Sequence, residues 1–206
     1  MNRPFSAACE RNKAPILEQL RPLYAPLRSV LEIGSGTGQH ALHFAQALPH
    51  LVWQCSELAD NLPALRLGLR LGLEEATLTN VPPPLELDVT HPWPVGRFQA
   101  VYTANTLHIM GWPQVQSLFA ALPQALDATG LFTAYGPFNR GGQFSSPSNR
   151  EFDAALRAAD PQRGLRDFEA VDALAAAAGL RLLADVAMPA NNRLLTWRRE
   201  ASQGVR

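Results

Sequence analysis

Three glycines, each separated from the next by one residue, follow a short apolar segment near the start of the chain. They come directly after Val30–Ile33: Gly34, Gly36 and Gly38. Glycine at a strand–helix turn lets the backbone approach a ligand, because no Cβ stands in the way. A dinucleotide-binding loop would need its third glycine at position 39, where this chain has Gln39.

Two polar residues accompany this glycine loop. Glu32 lies two residues before the first glycine, and Ser35 stands between the first and the second. A carboxylate at the end of the strand can face a ligand's amino group while the glycines admit an amino-acid and sugar portion. This combination favours S-adenosylmethionine (SAM), a sulfonium with a zwitterionic tail and no phosphate. A ligand-free glycine turn and an unusual nicotinamide or nucleotide site are the alternatives.

Two more acidic residues follow later apolar segments. Glu57 comes 23 residues after Gly34, a spacing that suits binding of ribose hydroxyls. Asp88 is predicted to end a third strand, where its carboxylate can accept from the exocyclic amine of adenine while Val89 packs on the ring. The alternatives are a solvated charge at a helix N-terminus for Glu57 and a turn residue for Asp88.

The candidate catalytic residues follow the fourth and fifth apolar segments. Asn105 can bond the methionine portion of the cofactor or an acceptor, and His108 is a candidate general base, since its ordinary pKa is about 6.5. Tyr135 is the third candidate. A packed, hydrogen-bonded histidine is the alternative for His108. Methyl transfer needs little beyond proximity and alignment, so the prediction does not depend on a base.

A further set of polar residues is expected near the same edge of the sheet. Turn and cap roles are the alternative for each of them, but several together suit orientation of a small polar acceptor. The set consists of Asn139, Ser145, Ser146, Ser148, Asn149, Asp153, Arg166, Asp167, Asn191 and Asn192. The base-methylation signature NPPY is absent, and Thr103–His108 has no paired carboxylates of the kind that aminopropyl transfer would need.

These residues need a scaffold of alternating strands and helices. β-rich runs occur at Val30–Ile33, Leu51–Cys55, Leu85–Val89, Gln99–Thr103, Leu131–Tyr135, Leu180–Val186 and Leu194–Trp197, with helical spacing of apolar residues before and between them. Gly130 and Gly179 are placed to end the fourth and sixth helices. Such alternation predicts a mostly parallel sheet with helices on both faces.

The last two predicted strands break this rhythm. Only Ala187–Arg193 joins them, which is too short for a helical crossover, so they should be antiparallel. The sequence therefore predicts an α/β class I SAM-dependent methyltransferase (Rossmann-like) fold, with a seven-stranded mostly parallel sheet and an antiparallel C-terminal hairpin. We expect one domain over residues 1–206, in which residues 1–27 form a lid and the first helix. Arg11, Asn12 and Lys13 are expected to precede that helix.

Composition limits the function classes. Hydrophobic residues make up 47% of the 206 residues, enough for a sizeable core. Formal net charge is zero, from 18 basic and 18 acidic side chains, which argues against a nucleic-acid partner. Two distant cysteines form no disulfide framework, and no clustered cysteines or histidines predict a metal site. With no signal-peptide or membrane pattern, we expect a cytoplasmic protein without a membrane partner. The pattern leaves the oligomeric state open.

Several segments together resemble a known family. They are SAACERNKAPILEQL, VLEIGSGTGQHALHFAQALPHLVWQCSE, NTLHIMGW, SPSN, GLRD and MPANN. The chain is similar to the methyltransferase-like 26 proteins over roughly Ser6 to Arg198, and the last three segments make this resemblance narrow. The family is class I methyltransferase-like and was formerly classed as a domain of unknown function.

The resemblance implies a SAM-binding fold and a methyltransferase of unassigned substrate. It carries the cofactor role onto Glu32, onto the three glycines of the loop, and onto the positions of Glu57 and Asp88. The family more often has Asp at the position of Glu57, so the longer side chain must retract. The N-terminal residues Arg11 and Asn12 belong to the family signature and are candidate cofactor contacts.

The resulting prediction is a SAM-dependent methyltransferase acting on a small polar acceptor. A non-catalytic SAM-binding protein is one alternative, and a protein or nucleic-acid methyltransferase is another. The neutral charge and the lack of an added recognition domain argue against the polymer substrates.

Overall fold

The computed structural model describes residues 3–94 and 96–200. Within these ranges the strands are β1 (Ser29–Ile33), β2 (Val52–Glu57), β3 (Leu85–Glu86), β4 (Phe98–Ala104), β5 (Leu126–Gly136), β6 (Phe138–Asn139), β7 (Arg166–Asp167), β8 (Leu180–Met188) and β9 (Asn192–Arg199). The helices are α1 (Ala7–Tyr24), α2 (Gln39–Ala47), α3 (Leu62–Ala76), α4 (Trp112–Ala125), α5 (Pro147–Ala159) and α6 (Phe168–Ala177).

The main sheet has the strand order β3-β2-β1-β4-β5-β9-β8, and β6 and β7 form a separate parallel pair. Strands β1 to β5 are parallel, whereas β9 is antiparallel to both β5 and β8. The predicted class I methyltransferase-like sheet, with its antiparallel C-terminal hairpin, is confirmed. The chain reverses its direction of strand addition between β1 and β4, and open α/β sheets bind ligands outside such a switch point.

Helices cover both faces of the sheet. One apolar cluster packs beneath α1, α2 and α3, and a second packs beneath α4 and α6. Successive residues of β1 alternate between them, with Val30 in the first cluster and Leu31 in the second. Because both faces are buried, apolar residues follow one another at the centre of β1 and β4, as at Val30 and Leu31 or Ala100 and Val101, which is why these strands stand out in the sequence.

Some local predictions need correction. Arg11, Asn12 and Lys13 do not precede the first helix but lie inside α1, which begins at Ala7 after the N-cap Ser6. Gly130 does not end α4, because that helix passes directly into β5 and Gly130 lies within the strand.

Other predictions about chain direction are confirmed. Gly179 directly follows the C-cap of α6 with a φ of 72°, the left-handed conformation expected there. The short link between the last two strands makes a tight turn in which Ala190 and Asn191 both have φ of 57°. Over the ranges given above, no helix combines the length and the apolar character that crossing a bilayer requires.

Candidate functional site

The three glycines of the loop after β1 all have positive φ, but their surroundings differ. A Cβ on Gly34 would lie 3.1 Å from Cγ2 of Thr106, and one on Gly38 would lie 2.8 Å from Cδ2 of Leu69. Neighbouring side chains and the left-handed backbone therefore both disfavour a Cβ at these two positions. Gly36 has a φ of 56°, and a Cβ there would meet no atom within 4 Å. Gly36 is exposed, so it is the glycine of the three that faces open space at the edge of the sheet.

Glu32 lies beneath this loop with 2% of its surface exposed. Its Oε2 accepts hydrogen bonds from the hydroxyl of Ser35 and from the indole Nε1 of Trp53, each at 3.0 Å. Burial raises the pKa of Glu32 to about 7, although these two bonds oppose the rise. The Sγ of Cys55 also contacts Oε2, at 4.0 Å, so Ser35, Trp53 and Cys55 all engage the same carboxylate oxygen. The carboxylate is thus held in one orientation by protein donors, a constraint that the sequence did not reveal.

Glu57 ends β2 beside the loop. Its Oε2 accepts from the backbone N–H of Leu58 at 2.9 Å, and Oε1 accepts from Nδ2 of Asn61 at 3.3 Å. The amide of Gly36 is close enough to lower the pKa of this carboxyl, whereas burial, the larger influence, raises it. The structure therefore brings Glu57 and Gly36 together, with the side chain drawn back toward its own strand end.

Asp88 lies two residues beyond the end of β3, and its carboxylate is engaged in a turn with Thr90. Its Oδ1 accepts from the backbone N–H of Thr90 at 2.9 Å and from the Thr90 hydroxyl at 2.7 Å. These bonds lower the pKa of Asp88. Asp88 and Leu58 also line a cavity of about 520 Å³ beyond the ends of β2 and β3. Val89 is buried within the second apolar cluster, so its side chain packs on protein.

The N-terminal helix is fastened to the start of α2. Oδ1 of Asn12 accepts from Nε2 of His40 at 2.7 Å, and both side chains are buried. Burial lowers the pKa of His40 to about 4, so the ring is neutral. Nε2 of Gln39 donates to Glu10 of the same helix at 3.2 Å. Asn12 thus acts as an anchor for α1, while Arg11 remains exposed.

Asn105 begins the segment that follows β4. Its backbone has a φ of 56°, a left-handed conformation that asparagine tolerates better than most residues. Its backbone N–H donates to the carbonyl of Tyr135 at 2.8 Å. The next residue, Thr106, packs against Gly34, so this segment and the glycine loop are in contact.

His108 lies further along that segment, against α5. Its ring packs edge-on to Phe152 with 5.2 Å between centroids, and its Nδ1 is 3.7 Å from where a Cβ on Gly136 would stand. Burial lowers the pKa of His108 to about 4. The ring is therefore neutral and able to accept a proton, although as a weak base.

Tyr135 does not join His108. Burial is the larger influence on Tyr135 and raises its pKa, whereas Asn12 and Arg11 near its hydroxyl lower it. The side chain belongs to the apolar cluster under α1, while His108 lies beside the following residue, Gly136. The three candidate catalytic residues are thus near one strand end without forming one cluster.

Most of the later polar set holds the structure together. Ser146 caps α5 by accepting from the N–H of Asn149 at 3.1 Å. Asp153 accepts from Arg157 and from the N–H of Leu165, each at 2.7 Å. The guanidinium of Arg166 donates to the carbonyls of Leu107, Met110 and Gln162, and so holds the segment that carries His108. The sequence predicts Arg166 only as a member of the polar set. Its role in holding this segment depends on contacts with residues that lie 59 and 56 positions earlier in the chain.

Three similar solved structures are described as methyltransferases, each at low sequence identity. An O-methyltransferase family protein from Burkholderia thailandensis matches with a TM-score of 0.80 and 14% identity, over 95% of this chain and 58% of that chain. A putative O-methyltransferase from Nostoc punctiforme matches with a TM-score of 0.74 and 15% identity, over 90% and 56%. Human N-acetylserotonin methyltransferase in complex with SAM matches with a TM-score of 0.75 and 12% identity, over 94% and 53%.

These likenesses establish the class I SAM-dependent methyltransferase fold. The chain spans a little over half the length of the structures it matches. A family described as "Protein of unknown function (DUF938)" matches residues 3–199, nearly the whole chain. The chain therefore belongs to the DUF938 family.

Proposed function

We propose that this protein is a SAM-dependent methyltransferase that acts on a small molecule. The observation that carries the proposal is Gly36, whose left-handed backbone faces open space beside the carboxylate of Glu57. At the other two glycines both the backbone conformation and neighbouring side chains disfavour a Cβ, whereas at Gly36 only the backbone conformation does, so the space beside it is open to a ligand. Its position at the switch point of the sheet is where this fold class binds ligands.

The residues around the loop fit the parts of SAM. Glu57 would bind the ribose hydroxyls from the end of β2. The cavity of about 520 Å³ lined by Leu58 and Asp88 would receive the adenine side, with Asp88 presenting an edge already ordered by Thr90. Glu32 would bind the methionine portion from beneath the loop. Trp53 and Ser35 orient the carboxylate that would make this contact.

SAM supplies an electrophilic methyl group on a sulfonium, which a nucleophilic atom of the acceptor can attack. The chain's own contribution would be to position the acceptor and exclude water. His108, neutral because burial lowers its pKa to about 4, would accept the acceptor's proton. Asn105 would orient the groups between the loop and β5, and Tyr135 would close the side under α1.

The narrower assignment is to the methyltransferase-like 26 proteins, on the strength of the SPSN, GLRD and MPANN segments. We also propose that residues 1–206 form one domain, whose N-terminal segment packs on α2 through Asn12 and Gln39 rather than lying free. We propose the cytoplasm as its location.

Isothermal titration with SAM and with S-adenosylhomocysteine tests the cofactor assignment. We expect both to bind, and failure of both at about millimolar concentration, the weak limit of specific binding, would end the proposal. Incubation with labelled SAM and a metabolite extract then separates an enzyme from a non-catalytic binder. We expect label in a small-molecule product. Binding without any labelled product would favour the non-catalytic protein.

A further inference from the structure

A second cavity, of about 490 Å³, lies between the segment after β5 and the β8–β9 hairpin. Its apolar lining includes Phe138, Phe144 and Met188, and its polar lining includes Ser145, Asn191 and Asn192. A cavity of this size suits a compact organic molecule. Phe138 and Met188 are buried, so an apolar surface underlies the polar rim.

The walls of this cavity are braced against one another. Nδ2 of Asn149, at the start of α5, donates to the hydroxyl of Ser145 at 2.8 Å and to the carbonyl of Asn191 at 3.3 Å. One buried side chain therefore joins the loop after β6 to the turn of the hairpin. Such bracing fixes the two walls relative to each other before a ligand binds. Less conformational entropy is therefore lost on binding.

The arginines of the wall are already compensated. Arg140 and Arg193 both donate to the carboxylate of Asp185, which lies mostly covered between them. Arg150 belongs to α5 rather than to the lining of the cavity, and it stands over the ring of Phe144, 5.7 Å from its centroid. On the loop behind Arg140, the carboxylates of Glu169 and Asp167 accept from the backbone N–H groups of two glycines.

A charged ligand would gain little from this balanced wall. A carboxylate entering the cavity would lose hydration, and it would have to compete with Asp185 for both arginines. A cation would likewise have to compete with Arg140 and Arg193 for the carboxylate of Asp185. A neutral molecule can instead cover the apolar lining and form hydrogen bonds with the amides of the rim. The side-chain amide of Asn191 is available for this, because it has no hydrogen-bond partner within residues 3–94 and 96–200.

The cavity also has a defined place relative to the glycine loop. Arg193 of its wall pairs with Gly136 at the end of β5, and the ring of His108 lies beside the same glycine. β5 is two strands from β1, about 10 Å at ordinary strand spacing. A molecule in the cavity therefore lies at the same edge as the proposed cofactor, on the side of His108.

We propose that this cavity binds the methyl acceptor, and that the acceptor is an uncharged molecule with an apolar body and hydrogen-bonding groups along one edge. This inference rests on the proposed function, because the bound molecule is a methyl acceptor only if the protein is a methyltransferase. The preference for a neutral ligand rests on the compensation of Arg140 and Arg193 by two carboxylates, Asp185, which they share, and Glu169, which lies beside Arg140. It narrows the small polar acceptor expected from sequence, because the lining is apolar beneath its rim.

Two probes of the same shape test the preference: para-hydroxybenzamide, which is neutral, and para-hydroxybenzoate, which is anionic. Titration of the whole protein with each, followed by ligand-observed NMR, should show the amide binding at least about tenfold more tightly. Phe144→Ala should weaken binding of the amide, whereas Phe144→Leu should retain most of it. Equal or tighter binding of the benzoate by the parent protein would overturn the proposal, as would amide binding that Phe144→Ala leaves unchanged.

Asp185→Asn provides the sharper test because it removes the carboxylate that Arg140 and Arg193 share. We expect the affinity ratio to move toward the benzoate by about tenfold. Glu200→Gln is the matched control, since Glu200 pairs with Arg181 at 3.3 Å at the far end of the same hairpin, and it should leave the ratio unchanged. An unchanged ratio in Asp185→Asn would contradict the role given to the pairing.

Titration with SAM in the same samples separates the two proposals. If SAM binds but neither probe does at about 10 mM, a level at which even weak ligands occupy their sites, the cavity inference fails and the proposed function stands. If the amide binds as expected and SAM does not, the proposed function fails while the cavity retains its neutral preference.

Discussion

Replacement of Gly36 by alanine tests the cofactor site at its most specific position. Gly36 has a φ of 56°, and a Cβ there meets no atom within 4 Å. The added methyl group therefore clashes with nothing in the protein, and its effect on folding comes from the left-handed backbone, about 1–2 kcal/mol. For a chain of this length that lowers the melting temperature by roughly 2–8 °C.

Gly179 offers a matched control. Its φ is 72°, a Cβ there also meets no atom within 4 Å, and it lies at the C-terminal end of α6, away from the glycine loop. Gly179→Ala should destabilise the protein about as much as Gly36→Ala, by roughly 1–2 kcal/mol. Equal losses in thermal unfolding would show that the two substitutions strain the backbone alike.

The two variants should differ in SAM binding. Gly36→Ala places a methyl group where the ligand approaches the backbone, so we expect at least about a tenfold loss of affinity, or 1.4 kcal/mol. Gly179→Ala should bind SAM like the parent. Gly36→Asn adds a second check, because asparagine tolerates this conformation and should lose affinity with little loss of stability. Unchanged SAM affinity in both Gly36 variants would refute the placement of the site.

Three other substitutions, and Arg11→Ala as a control, probe the surroundings of the glycine loop. Glu57→Ala should weaken SAM binding by about 1–3 kcal/mol in calorimetry, the usual loss for hydrogen bonds to a charged group, and unchanged affinity would remove Glu57 from the site. Because burial raises the pKa of Glu32 to about 7 from 4.5, the folded protein holds a proton there that the unfolded chain releases. Its contribution to the free energy of unfolding should fall by about 3 kcal/mol as pH rises through this interval, and urea titrations should show that Glu32→Gln removes this part of the pH dependence. An identical pH dependence in the variant would count against the raised pKa. Asn12→Ala should lower the free energy of unfolding by about 1–3 kcal/mol by leaving His40 unpaired, whereas Arg11→Ala should change it by less than about 0.5 kcal/mol; equal effects would contradict the anchoring role of Asn12.

The positions of helices and strands were predictable because both faces of the sheet are buried. Apolar runs such as Val30–Ile33 and stripes such as Leu62, Leu65 and Leu69 reflect local periodicity, which neighbours along the chain determine. The antiparallel hairpin was predictable because the link Ala187–Arg193 is too short for a helical crossover. Gly130 was misassigned because a glycine can end a helix or lie in a strand, and the choice depended on pairing of β5 with strands distant in sequence.

The cofactor loop was recognisable from glycine spacing, but the role of each glycine was not. Gly34 and Gly38 accommodate Thr106 and Leu69, which lie on other elements, and Gly36 alone of the three has open space before it. Likewise, the sequence did not show which acidic side chains already have partners within the protein. Asp88 is engaged by a turn, and Glu32 is covered by Trp53, 21 residues away.

By itself, then, the sequence determined the order of elements, the direction of the last two strands and the site of the glycine loop, because each depends on short-range spacing. Only the tertiary structure decided which side chains remain free to bind a ligand. The cavity beside the hairpin joins Phe138 and Phe144 to Met188, about fifty residues later in the chain. Its charge balance depends on Asp185 meeting Arg140 across that separation. Contacts of this kind arise when elements pack, and local pattern does not encode them.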